Sequence, residues 1–309
     1  MSEVFTTGRE NGRRRPRGYA TWNPHAPTRA LIDTVAEILD DYRGHLPLTV
    51  RQIFYRLVAS YGYEKDEKAY KRLGEHLVRA RRAHMVPFDA IRDDGVVIYS
   101  GTWHGGPDDF WDDTARRMHV YRRDRQAGQR LRLELWCEAA GMAPQLARVA
   151  DHYSVPVYSS GGFASLTAVR LIAERALERE VPTVLLHVGD LDPSGESIFD
   201  ALAQDAAAFV EADRVIETLT IESVRVALTA QQVSAHGLPT APAKASDARS
   251  AGWNGGTCQL EALPPDVLAA IVRRAIEDRL DREGFEAEVD QECDDRQEIL
   301  LGLPRGGEA

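Results

Sequence analysis

The chain has 309 residues, 43% hydrophobic and 28% charged, the make-up of a soluble globular protein long enough for two modest domains with cores of their own. No apolar run approaches the roughly 20 residues of a membrane span, the first 18 residues carry no signal-peptide-like segment, and Cys137, Cys258 and Cys293 lack metal-ligand spacing, so the expected setting is a reduced cytoplasm. The net charge of −10 hides an asymmetry: residues 1–132 balance to +6 and residues 133–309 to −16, so one half could meet a polyanion while the other could hold cations.

Residues 1–26, with Gly12-Arg13-Arg14-Arg15-Pro16-Arg17-Gly18, have no apolar periodicity and read as a basic, disordered arm. Leu31, Ile32, Val35, Ile38 and Leu39 follow helical spacing and predict a helix over 28–42, ended by Gly44 and Pro47. Thr49 with Gln52 three residues on is a capping-box signature; it starts a second helix that carries Arg51 and Tyr55. A third helix is expected over 66–83, closing on Arg79-Ala80-Arg81-Arg82. After Pro87, residues 91–99 read as a hairpin around Asp93-Asp94-Gly95. Residues 27–100 therefore make either a winged helix, whose basic third helix lies where such folds read a groove, or a plain bundle with a charged face. Residues 101–130, rich in Asp and Arg, read as a linker with some helix.

From residue 131 the rhythm becomes strand, turn, helix. Strands are expected at 131–137, 155–158 and 184–188, and helices at 141–150, 166–177 and 198–210. That alternation implies a parallel sheet flanked by helices. A further strand over 214–221 follows, then a loop rich in Pro, Ala and Lys, then a helix from Pro265. This second domain is placed at 131–301, with 302–309 as a frayed tail. The fold class is α/β, with an α+β N-terminal part.

Two places carry chemistry. The apolar run Leu185-Leu186-His187-Val188 leads into Gly189-Asp190-Leu191-Asp192-Pro193-Ser194-Gly195. In extended chain Asp190 and Asp192 point the same way, and paired carboxylates at a buried strand end suit a cation such as Mg²⁺. Glu138, just after the first strand, falls at the same carboxyl edge, where parallel sheets bind ligands. Asp-rich loops of this kind also serve as plain caps and turns. The second place is Tyr55. Ile53, Phe54, Leu57 and Val58 form an apolar arc, and Arg51 and Tyr55, at i and i+4, lie mostly off it. A tyrosine hydroxyl can attack phosphorus, and a neighbouring arginine would orient the phosphate or favour phenolate. A tyrosine on an amphipathic helix is otherwise most often structural.

Taken together, Thr49-Val50-Arg51-Gln52-Ile53-Phe54-Tyr55 in a winged-helix pattern, Glu138 in Trp136-Cys137-Glu138, and Asp190 and Asp192 ahead of Pro193 and Gly195 resemble topoisomerase VI A subunits and the related meiotic double-strand-break transesterase, over roughly residues 28–276. The resemblance implies a winged-helix domain followed by a Toprim domain. It implies a homodimer on double-stranded DNA, with Tyr55 as nucleophile forming a 5′-phosphotyrosine link. Arg51 would sit at the scissile phosphate, and Glu138, Asp190 and Asp192 of the partner copy would hold Mg²⁺. Arg79, Arg81 and Arg82 would grip the DNA backbone. The loop at 159–163, Leu238-Pro239, Lys244 and Gln259-Leu260-Glu261 also resemble the family, with no role carried onto Lys244 or Glu261. The chain is short for a full A subunit and resembles free-standing A-like proteins of mobile elements; nothing in it resembles the ATPase B subunit, which would be a separate partner. A nuclease using water, or a DNA-binding protein with a structural cation, are the alternatives.

Overall fold

A computed structural model of the protein describes residues 18–92, 102–159, 166–213, 217–242, 253 and 255–301, without the side chains of 194–196. The chain divides into two compact units, Met1–Ile91 and Arg92–Ala309.

The first unit contains α1 (Ala26–Asp41), β1 (Leu48–Thr49), α2 (Val50–Tyr61) and α3 (Glu67–Arg82), and β2 (Ile91–Arg92) pairs with β1. The expected capping box is present in full: the Gln52 N–H donates to Thr49 Oγ1 at 3.1 Å, and the Thr49 N–H donates to Gln52 Oε1 at 2.9 Å. The helix stops at Gly62, whose φ of 67° lies in the left-handed region that favours glycine. Asp66 caps α3 by accepting from the Ala69 N–H at 2.6 Å. Ile32, Val35 and Ile38 of α1, Ile53 and Leu57 of α2, and Leu73 and Leu77 of α3 are buried in one shared core. Each such side chain contributes on the order of 1.5–3 kcal/mol. Residues 18–25, placed by composition in the arm, run against α3. The Ala20 N–H donates to Arg82 O at 3.0 Å, and Trp22 stacks on His76 with ring centres 5.9 Å apart. The Asp-Gly turn of the expected hairpin lies outside the described residues.

The second unit opens with α4 (Pro107–Met118) and then alternates β3 (Arg132–Cys137), α5 (Ala143–Ala150), β4 (Val157–Ser159), α6 (Leu166–Arg179), β5 (Thr183–Val188), α7 (Pro193–Asp213) and β6 (Ile221–Ala227). It ends in α8 (Ala230–Ala235), α9 (Pro265–Glu277) and α10 (Arg282–Leu301). The four strands are parallel in the order β4-β3-β5-β6. The class is therefore mixed α/β. From β3 the chain crosses outward to β4; from β5 it crosses the other way to β6. Right-handed crossovers then put α5 on one face and α6 and α7 on the other. Accordingly Val169 and Ile172 of α6 and Phe199 and Ala206 of α7 pack with Trp136 and Leu185 in one cluster. All six residues of β5 are buried.

Two expectations need correction. The last strand among the described residues is Ile221–Ala227; of the expected 214–221, residues 217–220 are turn and coil, and 214–216 lie outside the described residues. Among the described residues β6 pairs only with β5, and as an edge strand there it can carry Glu222, Ser223 and Arg225, whereas the expectation followed a more apolar stretch just before it. And the presumed linker is tied down. Arg123 bonds Glu288 at 2.6 Å and Asp295 at 2.7 Å, and Arg125 meets both oxygens of Glu292 at 2.8 and 3.1 Å, so residues 121–125 are clasped to α10. No described helix is long and apolar enough to cross a membrane.

Candidate functional site

The sheet order creates a switch point between β3 and β5, where successive crossovers diverge and leave a crevice at the carboxyl ends. Cys137 pairs with Val188 in register, so Glu138 and Gly189 are the next residues out on adjacent strands. The Glu138 N–H still reaches Val188 O at 3.1 Å, which carries the pairing one residue past the strand. Glu138, Asp190 and Asp192 therefore come to one edge, as the sequence predicts.

Their electrostatics follow from that placement. Burial, then the negative charges of Asp190 and Asp192, raise the Glu138 carboxyl above its usual range, against an opposing pull from Arg225. Glu138 Oε2 is buried with no hydrogen-bond partner among the described residues. A Cβ at Gly189 would stand 2.8 Å from that oxygen and 3.1 Å from His187 Nε2, so glycine leaves the Glu138 carboxylate its room at the strand ends. Glu134, four residues upstream and fully buried, is the contrast: Arg175 at 2.7 Å and Arg179 at 3.1 Å neutralise it and Trp136 Nε1 donates to it at 3.2 Å. The acid pinned for structure is paired, while the acid at the strand end keeps an unmatched oxygen.

The loop holding Asp190 and Asp192 is fixed from two sides. The Leu260 N–H donates to Asp190 Oδ1 at 2.8 Å, and Leu191 exchanges backbone hydrogen bonds with Cys258 at 2.8 and 2.9 Å. From β6, Arg225 Nη2 donates to the carbonyls of Gly189, at 3.0 Å, and Asp190, and its Nη1 lies 2.9 Å from His187 Nδ1. Burial, then the Arg225 charge, push His187 down to about 3. The ring is neutral, accepts at Nδ1 and carries its hydrogen on Nε2, and it stacks on Phe199 with centres 3.9 Å apart. Asp192 directly precedes α7, whose positive end favours a carboxylate.

Sequence reasoning missed Arg225 and His187, and it left Glu261 without a role. Glu261 is buried in the turn after Cys258. Burial pushes the Cys137 thiol up to about 12, and the charges of Glu261, Asp190 and Glu138 add to the rise, so a fourth carboxylate borders the same edge. An all-oxygen donor set with an orphaned, buried carboxylate oxygen fits a hard dication such as Mg²⁺. The fit is to an open site: among the described residues no group of three or more His, Cys, Asp and Glu side chains is arranged to hold a metal ion as it stands.

In the first unit Tyr55 departs from expectation. It is 7% exposed, on a helix where Gln52 through Leu57 are all buried, and its ring packs edge-on to Phe54 at 5.5 Å. Turns of α2 are covered on more sides than an amphipathic wheel allows. Arg51 lies over the Tyr70 ring at 5.7 Å. Of the basic trio, Arg79 is exposed, whereas Arg81 donates to Phe88 O at 3.0 Å and Arg82 to Gly18 O at 2.5 Å. Those two close the C-terminal end of α3 as well as presenting charge. Lys244 and residues 160–163 of the glycine-containing loop lie outside the described residues. No protein-family model matches the chain, and no curated protein matches it.

Proposed function

We propose that this chain is a magnesium-dependent enzyme that cleaves DNA strands. The observation that carries the reading is the set of carboxylates Glu138, Asp190 and Asp192 at the switch point of a parallel sheet, with Glu138 Oε2 buried and unmatched. The four-stranded parallel unit preceded by three helices and a short strand pair also supports the winged-helix and Toprim assignment. When bound, Mg²⁺ would supply stabilisation of negative charge at the phosphate and the leaving 3′ oxygen. Glu138, Asp190 and Asp192 would hold it. Arg225 and His187 keep the loop in place, and Arg79 gives salt-sensitive, sequence-independent grip on the DNA backbone.

The nucleophile divides the proposal. The family resemblance assigns attack to Tyr55, with Arg51 at the phosphate, in a homodimer where each tyrosine works beside the partner's acids; a separate ATPase subunit would then be needed for strand passage. The burial of Tyr55 favours the second reading, hydrolysis by water, because no buried side chain has to be brought out. Supercoiled plasmid incubated with the protein and Mg²⁺, denatured, and run with and without protease separates the two. Protein-linked 5′ ends lost in Tyr55→Phe establish transesterification; free ends unaffected by Tyr55→Phe establish hydrolysis. Intact plasmid under Mg²⁺ and Mn²⁺ would overturn both.

A further inference from the structure

Beside the C-terminal end of α3, residues 18–19 and Phe88 enclose a cavity of about 310 Å³ together with Val78, Arg81 and Arg82. Its aromatic walls are open to solvent: Tyr19 is 65% exposed and Phe88 49%. The rings are nonetheless ordered against one another. Tyr19 stacks on His84 with centres 4.0 Å apart and meets Phe88 edge-on at 6.0 Å. Arg81 lies over the Phe88 ring at 4.7 Å, and its Nε is buried without an acceptor. Arg82 uses Nη1 to fix the Gly18 carbonyl, which holds Tyr19 in position. No carboxylate is among the described lining residues.

Exposed aromatic rings, cationic groups on the rim and no acid among the lining residues make a site for a flat, anionic ligand. The cleft has room for one nucleobase. We propose that this cavity binds a single unpaired nucleobase of a DNA strand, stacked on Tyr19, with an adjacent phosphate at Arg82. Stacking on aromatic side chains is tolerant of sequence, so the site would select for unstacked or melted DNA rather than for a base order. The inference rests on the DNA-binding part of the proposed function and is independent of the cleavage chemistry.

The test uses the full-length protein in EDTA and a fluorescein-labelled twelve-nucleotide oligothymidine, read by anisotropy. Wild type binds it, Tyr19→Ala weakens binding about 5- to 150-fold, and Tyr19→Phe binds as wild type. Because Tyr19 is exposed, the variants keep their fold, which far-ultraviolet circular dichroism verifies. Glu138→Gln serves as the separating control: it loses plasmid cleavage yet binds the oligonucleotide unchanged, so failure of the catalytic reading leaves this one standing. The inference is overturned if wild type does not bind the oligonucleotide, if Tyr19→Ala binds it equally well, or if an acidic tyrosine-containing peptide displaces it at comparable concentration.

Discussion

Replacing Gly189 with alanine probes the candidate metal site with one methyl group. Gly189 does not have a left-handed backbone, so alanine meets no conformational penalty and the effect is purely steric. The new carbon would lie 2.8 Å from Glu138 Oε2, 3.1 Å from His187 Nε2 and 3.3 Å from Glu138 Cβ. Ordinary van der Waals contact begins near 3.4 Å, so the carboxylate must retreat by roughly half an ångström, and the strand pairing at Glu138 N–H to Val188 O limits where it can go. Overpacking of this kind costs about 1–3 kcal/mol. If that falls on the ion-binding geometry, Mg²⁺ affinity drops about 5- to 150-fold. The assay is the midpoint of thermal stabilisation against MgCl₂ concentration, with Gly44→Ala as control because a Cβ there meets nothing within 4 Å. An unshifted Mg²⁺ midpoint in Gly189→Ala would refute the reasoning, as would a wild type whose melting temperature ignores Mg²⁺.

Three further outcomes are expected. Glu292→Ala leaves Arg125 buried without its partner and lowers stability by about 3–5 kcal/mol, measured by urea denaturation. Burial alone lifts the Glu292 carboxyl, but hydrogen bonds from Arg125 and the Arg123 backbone outweigh it and hold the group below its ordinary 4.5. Its contribution is therefore full above pH 4.5 and lost as pH falls through the lower folded value; Glu292→Gln should flatten that acid limb, and an identical limb in both proteins would count against it. Gly74→Ala, in the interior of α3 with open space at the Cβ position, should raise stability by about 0.4–1 kcal/mol in the same denaturation assay, and a loss would show hidden crowding.

The parts of the molecule governed by local rules were readable in the chain. Thr49 and Gln52 are three residues apart and satisfy each other, and Asp190 and Asp192 follow a strand too apolar to be anything but buried. What was not readable depends on distant partners. Arg225 acts on carbonyls 35 and 36 residues away, and its own strand is an edge whose polar residues hide the period. α10 has charge on every side and only Glu292 buried, so no apolar stripe marks it; its anchors are arginines about 170 residues earlier. Tyr55 shows the opposite failure. A helical wheel gave it an outer face, and neighbours from elsewhere in the fold covered it.

The clasp between residues 121–125 and α10 bears on how the protein can be cut and joined. Trimming the chain ahead of Arg282 would strip Arg123 and Arg125 of all three carboxylates and leave the Arg125 side chain only its hold on His152. Affinity handles or fluorescent partners belong beyond Leu301, and any shortened version meant for crystallisation should keep the whole terminal helix.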